Sequence, residues 1–259
     1  MDLLRVSPLQ FDVIWENPAS NRLKIADLLS PLMGKTDLVL LPEMFSTGFS
    51  YNVGALAETM EGETVQWMKR QAILTDAALA GSLMIQEEDH FYNRFLFVMP
   101  SGEIFHYDKR HLFTIGGENQ YFSHGNKRVI VEYRGWRIAL FTCYDLRFPV
   151  WCRSIKVADL MLFAASWPGV RKHVWQTLLK ARAIENQLYV AGVNRTGMDG
   201  SGISYYGGSM VIDPKGFNRC NLAGKPQIVE TCILSLSELN RFRKKFPVSD
   251  DEDTFDISV

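Results

Sequence analysis

Hydrophobic positions along this chain switch repeatedly between a period of two and a period near 3.6. Leu3 to Gln10 alternates as a strand does. Asn21 to Leu32 carries Leu23, Ala26, Leu28, Leu29 and Leu32 on a helical stripe, with Ser20 as candidate N-cap. Asp37 to Leu41 is a short continuous apolar run, as expected of a buried strand. Thr64 to Ala80 reads as a helix ending before Gly81, and Ser82-Leu83-Met84-Ile85 as a strand. Asn93 to Met99 and Ile104 to Tyr107 flank the turn triplet Pro100-Ser101-Gly102 and predict a hairpin.

The second half repeats the theme. Val129 to Tyr133 and Trp136 to Phe141 flank Arg134-Gly135, a second hairpin. Pro149 to Lys156 reads as helical, Leu160 to Ala165 as a buried strand, His173 to Glu185 as a helix of good formers, and Leu188 to Asn194 as a strand. Tyr205 to Ile212 runs into the turn Asp213-Pro214-Lys215-Gly216, and Ile228 to Leu234 closes the strand set. Ser235 followed by Glu238 is a capping-box start for a last helix. No Pro/Gly/Ser linker divides the chain. Two similar α/β halves predict one domain over residues 1–259: a four-layer α-β-β-α sandwich with two mixed sheets face to face and helices outside.

Composition narrows the function. A hydrophobic fraction of 47% over 259 residues can fill a core of that size. The formal net charge of −1 gives no electrostatic basis for a nucleic-acid or anionic-membrane partner. No stretch of about 18 apolar residues predicts a membrane span. Met1-Asp2-Leu3-Leu4-Arg5-Val6 reads as a first strand rather than a secretory leader, so the expected location is cytoplasmic. The Asn194-Arg195-Thr196 sequon then has no meaning. The cysteines are Cys143, Cys152, Cys220 and Cys232; with no C-x-x-C pair, a metal or dithiol site is not expected. Cys152, Cys220 and Cys232 read as inert buried thiols.

Cys143 is different. The strand Trp136 to Phe141 delivers it to a junction with a following turn and helix start, where N-terminal amides would favour a thiolate. Glu43 leaves the strand Asp37 to Leu41 through Pro42, a position where partial desolvation would raise its pKa and suit it to general-base work. As a bland alternative it opens a surface loop. Lys109 follows the strand Ile104 to Tyr107 and could stabilise an oxyanion, or be one charge in a solvated run. His106 and His111, five apart without a further partner, do not predict a metal site. Three reactive groups just past three strand ends would converge on one point if those strands shared a sheet edge. Such a set is an activated thiol nucleophile.

These segments resemble the three signatures of the nitrilase superfamily of carbon-nitrogen hydrolases, and the similarity extends over nearly the whole chain. Glu87 to Arg94, Gly117-Glu118-Asn119, Ala165-Ser166-Trp167-Pro168, Ala181 to Gln187 and Gly208-Ser209 add to it in the family order. The resemblance implies a catalytic triad of Glu43, Lys109 and Cys143, with Glu118 orienting the lysine and the Tyr144 backbone N–H assisting at the oxyanion. Within the superfamily the chain is most similar to bacterial omega-amidases. Cys143-Tyr144-Asp145, where nitrilases carry Cys-Trp-Glu, argues against a nitrile. The implied reaction is hydrolysis of the terminal amide of 2-oxoglutaramate or 2-oxosuccinamate, with no cofactor and a small-molecule amide as the partner. Arg147 could bind the substrate carboxylate or form an ion pair with an acidic neighbour. Phe113, Trp167 and Tyr206, with Phe45 and Tyr51, could wall the pocket or simply pack the core. An N-carbamoyl amino-acid amidohydrolase or another aliphatic amidase would use the same triad. A non-catalytic thiol sensor on this fold is the alternative of another class. The resemblance also implies at least a homodimer, with the apolar tail Phe255 to Val259 as a candidate for exchange.

Overall fold

The computed structural model describes residues 2–154 and 156–257. Strand β1 (Leu3–Gln10) is followed by helix α1 (Pro18–Leu29), β2 (Leu38–Leu40), the single turn α2 (Val53–Leu56), α3 (Glu63–Thr75), β3 (Ala78–Glu87), β4 (His90–Val98) and β5 (Ile104–Asp108). Then come β6 (Ile130–Tyr133), β7 (Trp136–Thr142), β8 (Leu160–Ala165), α4 (Lys172–Asn186), β9 (Tyr189–Asn194), β10 (Thr196–Met198) and β11 (Ser204–Tyr206). The chain continues through β12 (Met210–Ile212), β13 (Asn218–Asn221), β14 (Ile228–Val229), β15 (Cys232–Ser235) and α5 (Leu236–Lys245). One mixed sheet runs β14-β1-β2-β3-β4-β5 with β15 also on β1; the other runs β13-β12-β9-β8-β7-β6.

The predicted layering follows from side-chain alternation. Leu38 and Leu40 of β2 join the core between the two sheets, while Val39 and Leu41 face Ile25 and Leu29 of α1 and Val65, Met68 and Ala72 of α3. Trp175, Leu179 and Ala183 of α4 and Leu239 of α5 pack into the core on the second sheet. Each sheet is therefore buried on both faces, which is why its strands read as continuous apolar runs.

Several boundaries differ from the sequence expectation. The first helix begins at Pro18, and Asn17 rather than Ser20 is its cap, accepting from the Ser20 N–H at 3.0 Å. The third helix stops at Thr75 because Asp76 adopts a left-handed conformation (φ 49°, ψ 37°); Ala78 to Ala80 then pair in parallel with Leu38 to Leu40. An alanine-rich segment with helical propensity is thus claimed by the sheet. No helix forms at Pro149 to Ser154, which are turns and irregular chain; the helical turn lies earlier, at Cys143–Arg147. Ile155 lies outside the described residues. The expected strand Tyr205 to Ile212 is broken by Gly207 and Gly208, both at positive φ. The Arg134-Gly135 turn has both residues at positive φ (50° and 81°), the type I′ geometry that a tight hairpin needs.

Cys220 of β13 and Cys232 of β15 meet as a disulfide, with Cα atoms 6.4 Å apart. The expectation of inert thiols fails for this pair, since spacing along the chain does not reveal that two strands from different sheets end side by side. Cys152 is free and buried as expected. Within the described part of the tail, Glu252 pairs with Arg153 of its own chain at 2.9 Å; Ser258 and Val259 lie outside the described residues. No helix among the described residues is long and apolar enough to cross a membrane.

Candidate active site

Glu43 follows β2, Lys109 follows β5, and Cys143 follows β7. The first two belong to one sheet and the third to the other. Convergence therefore happens across the sandwich, not along one sheet edge as the sequence had suggested. The crossing is direct: the Ser166 N–H donates to Glu43 Oε2 at 2.8 Å, and Ser166 Oγ donates to the Glu43 carbonyl at 3.1 Å.

Lys109 Nζ donates to Glu43 Oε1 at 2.9 Å and to Glu118 Oε1 and Oε2 at 3.0 and 2.8 Å. All three side chains are buried, at 1% exposure or less. Burial alone would pull the ammonium pKa down, but Glu118 and then Glu43 outweigh it and hold Lys109 well above the usual lysine range. Burial raises the Glu118 carboxyl, and the ammonium opposes that shift. Glu118 is further fixed by the Phe113 N–H at 2.5 Å.

Asn93, within the segment Glu87 to Arg94, is assigned no role by the sequence pattern. Its Nδ2 donates to Glu43 Oε1 at 2.8 Å and to Glu118 Oε1 at 3.1 Å, so one amide braces both carboxylates. The signal available was a polar residue directly before the apolar run Phe95 to Val98, inside the strand His90–Val98.

Cys143 sits at φ 43°, a left-handed conformation that costs a non-glycine residue about 1–3 kcal/mol. Asp145 supports it. Its Oδ2 accepts from the Thr142 N–H at 3.0 Å and Tyr107 OH at 2.7 Å, and its Oδ1 from the His111 N–H at 3.0 Å. His111 Nδ1 also lies 2.9 Å from that oxygen, and its ring stacks on Phe148 at 3.7 Å. His111 is thus spent on structure, and no group of His, Cys, Asp or Glu among the described residues is placed to hold a metal. From the other side Arg182 of α4 donates to the Leu146 carbonyl at 2.6 Å.

The predicted thiolate is corrected here. The element that begins at Cys143 is a five-residue 3-10 turn, too short for a substantial helix dipole. Burial, with Glu43 beside the sulfur, pushes the Cys143 thiol well above its ordinary range; Lys109 pulls the other way without offsetting this. A thiol shifted in that direction relies on a neighbouring base for its activation.

Cys143 opens onto a cavity of about 200 Å³, the room of six or seven waters at about 30 Å³ each. Phe113, Tyr144, Arg147 and Trp167 line it, and so does Tyr51. Phe45 does not; it is fully buried in the outer core against Trp67. Tyr206 also lies outside the cavity, 37% exposed with Lys172 over its ring at 4.4 Å. Tyr205 takes the pocket position instead, its OH donating to Asp199 Oδ2 at 2.8 Å. Neighbours on a strand face opposite ways, and composition could not choose between the two tyrosines. Arg147 has no ion-pair partner among the described residues; its guanidinium lies 5.2 Å from the Trp167 ring centroid. Asn194 is buried and bonded to the Trp167 N–H and carbonyl at 2.7 and 3.0 Å, which fixes that wall.

A half-buried thiol, a carboxylate and a lysine clamped between two carboxylates, at the foot of a small cavity in an α-β-β-α sandwich, are the groups a cysteine hydrolase needs. The chain belongs to the carbon-nitrogen hydrolase family, whose model matches residues 5–220. It is 43% identical over 257 residues to the omega-amidase YafV of Yersinia enterocolitica, covering 98% of this chain and 99% of that one. It is 32% identical over 251 residues to the 2-oxoglutaramate amidase of Bacillus subtilis, covering 95% and 96%. Among solved structures it matches a CN-hydrolase superfamily protein of Xanthomonas campestris at TM-score 0.97 and 43% identity, covering 100% of both chains; that protein carries an arsenic adduct in its active site.

Proposed function

We propose that this protein is an omega-amidase, hydrolysing the terminal carboxamide of a short 2-oxo acid such as 2-oxoglutaramate to the acid and ammonia. The observation that carries the reading is Cys143 in one cavity with Glu43 and Lys109, the lysine bonded to both Glu43 and Glu118. The relatives named above supply the substrate class.

In this reading Glu43 takes the Sγ proton as sulfur attacks the amide carbon. The carbonyl pair moves onto oxygen, where Lys109 Nζ and the Tyr144 N–H receive it. An N–H in the first turn after a strand has no acceptor within its own helix and is free for this. One such donor typically contributes about 3–4 kcal/mol to the barrier. Collapse breaks the C–N bond, Glu43 returns its proton to the leaving nitrogen, and ammonia departs from an acyl-thioester. Water then attacks the thioester, giving a proton to Glu43. Cleavage of C–S, with Glu43 returning its proton to sulfur, releases the acid and restores the thiol and the carboxylate. Glu118 and Asn93 do not touch the reacting atoms; they hold Lys109 and Glu43 in place. At least a dimer is expected in solution, and sedimentation at micromolar concentration measures it.

The test is ammonia release from 2-oxoglutaramate by wild type beside Cys143→Ala. Turnover lost in the variant supports both reaction and nucleophile. No release by wild type sinks the substrate, and release that survives Cys143→Ala sinks the mechanism.

A further inference from the structure

Sequence patterning singled out one arginine near the nucleophile; the cavity holds a second. Arg171 ends the turn Gly169–Arg171 just ahead of α4. Its backbone is pinned at both ends: its N–H donates to the Pro168 carbonyl at 3.0 Å, and its carbonyl accepts from Trp167 Nε1 at 3.0 Å. Its guanidinium lies 5.5 Å from the Phe113 ring centroid, as that of Arg147 lies over Trp167. Both side chains line the cavity. Neither guanidinium has a hydrogen-bond or ion-pair partner among the described residues, unlike Arg5, Arg94, Arg137, Arg182, Arg195 and Arg243, which all do.

The carboxylates of the same cavity are all engaged. Glu43 accepts from Lys109, Asn93 and the Ser166 N–H. Asp199 Oδ1 accepts from the Ser201 and Ile203 N–H groups, both at 2.9 Å, and Oδ2 from Tyr205. Away from the nucleophile the cavity therefore offers two uncompensated cationic forks and no free anionic acceptor.

Building on the omega-amidase reading, we infer that Arg171 and Arg147 form a clamp selective for hydrogen-bond acceptors, and that it distinguishes a 2-oxo acid amide from its 2-amino counterpart. A carboxylate next to a keto oxygen presents only acceptors, which two guanidinium forks can satisfy. A carboxylate next to an ammonium presents a cation to two cations, with no carboxylate oxygen left to receive it. The clamp admits 2-oxoglutaramate and rejects glutamine by leaving its ammonium unpaired. Arg171 is a specificity-determining residue, remote from the reacting bond.

The experiment compares wild type, Arg171→Met and Arg171→Lys for ammonia release from 2-oxoglutaramate, L-glutamine and butyramide, with thermal melts to verify folding. Loss of a charge-assisted contact should raise KM for 2-oxoglutaramate about ten- to hundredfold. Because the arginine acts away from the bond, kcat should stay within about threefold. The kcat/KM preference for 2-oxoglutaramate over butyramide should fall by a similar factor, with the lysine variant between. Independently, 2-oxoglutarate should bind Cys143→Ala at least tenfold more tightly than Cys143→Ala with Arg171→Met, by calorimetry. Wild-type turnover of 2-oxoglutaramate with an unchanged preference in a folded Arg171→Met overturns the clamp alone. Wild-type failure on 2-oxoglutaramate overturns the clamp and the omega-amidase reading together. Equal wild-type turnover of glutamine overturns the discrimination.

Discussion

Replacing Glu118 by glutamine separates the work of the buried charge cluster in catalysis from its work in folding. The cluster sets one amine, Lys109, between two carboxyl groups, Glu43 and Glu118. At 2.8 Å and an effective dielectric near 20, the Lys109–Glu118 attraction is about 6 kcal/mol before desolvation. Glutamine forfeits it but keeps one oxygen for the ammonium, and Lys109 still has Glu43. What remains buried is a neutral pair. The stability loss should therefore be about 1–3 kcal/mol, less than the ~3–5 kcal/mol of a stranded charge. That is roughly 3–10 °C in Tm for a chain of this size. Catalysis should suffer more. With Glu118 neutral, Lys109 is drawn onto Glu43 alone and away from the carbonyl oxygen it has to meet, so kcat should fall about 10²–10³-fold, as for loss of one oxyanion donor. The assay is ammonia release at 25 °C, where both proteins are folded, beside a thermal melt. A folded Glu118→Gln with kcat within about threefold of wild type would refute the orienting role.

Asp145→Ala strands the Thr142, His111 and Tyr107 donors; it should cost about 3 kcal/mol or more by urea unfolding and abolish turnover even where folded. Gly125→Ala would drive a Cβ into the Asp108 backbone beside Lys109, lowering both yield and kcat, whereas Gly102→Ala meets no atom and should cost only about 1–2 kcal/mol for its positive φ, with turnover intact. Tyr206→Ala should leave KM within about twofold, while Trp167→Ala removes a pocket wall and raises it severalfold. Stability should fall with acid through Asp37 and Asp159. Burial pushes each carboxyl up, but Arg5 with Arg134, and Arg137 with Arg243, outweigh it and lower both. A folded pKa below the unfolded value of about 3.9 gives stabilisation that is full above that pH and lost as pH falls through the folded value. Asp159→Asn should then be less stable at pH 7 and decline less steeply below pH 4, measured as urea midpoints across pH.

The sequence by itself determined the layers and singled out the candidate reactive residues. Strands buried on both faces must read as apolar runs, so Asp37 to Leu41 and Leu160 to Ala165 announced themselves. Glu43, Lys109 and Cys143 stood out because polar residues directly after such runs sit at the ends of strands. Local patterns failed where local preference lost to pairing, as at Ala78 to Ala80, which the parallel neighbour β2 claims for the sheet. Only the tertiary structure decided that the candidate reactive groups meet across two sheets, that Asn93 braces two carboxylates, and that burial pushes the thiol pKa up. It also decided which tyrosine faces the cavity, and it placed Arg171 on the same cavity as Arg147. The physical reason is that charge state, bracing and facing depend on distances between segments far apart in the chain. Hydrophobic periodicity reports which side of an element is buried, and carries no information about what it is buried against.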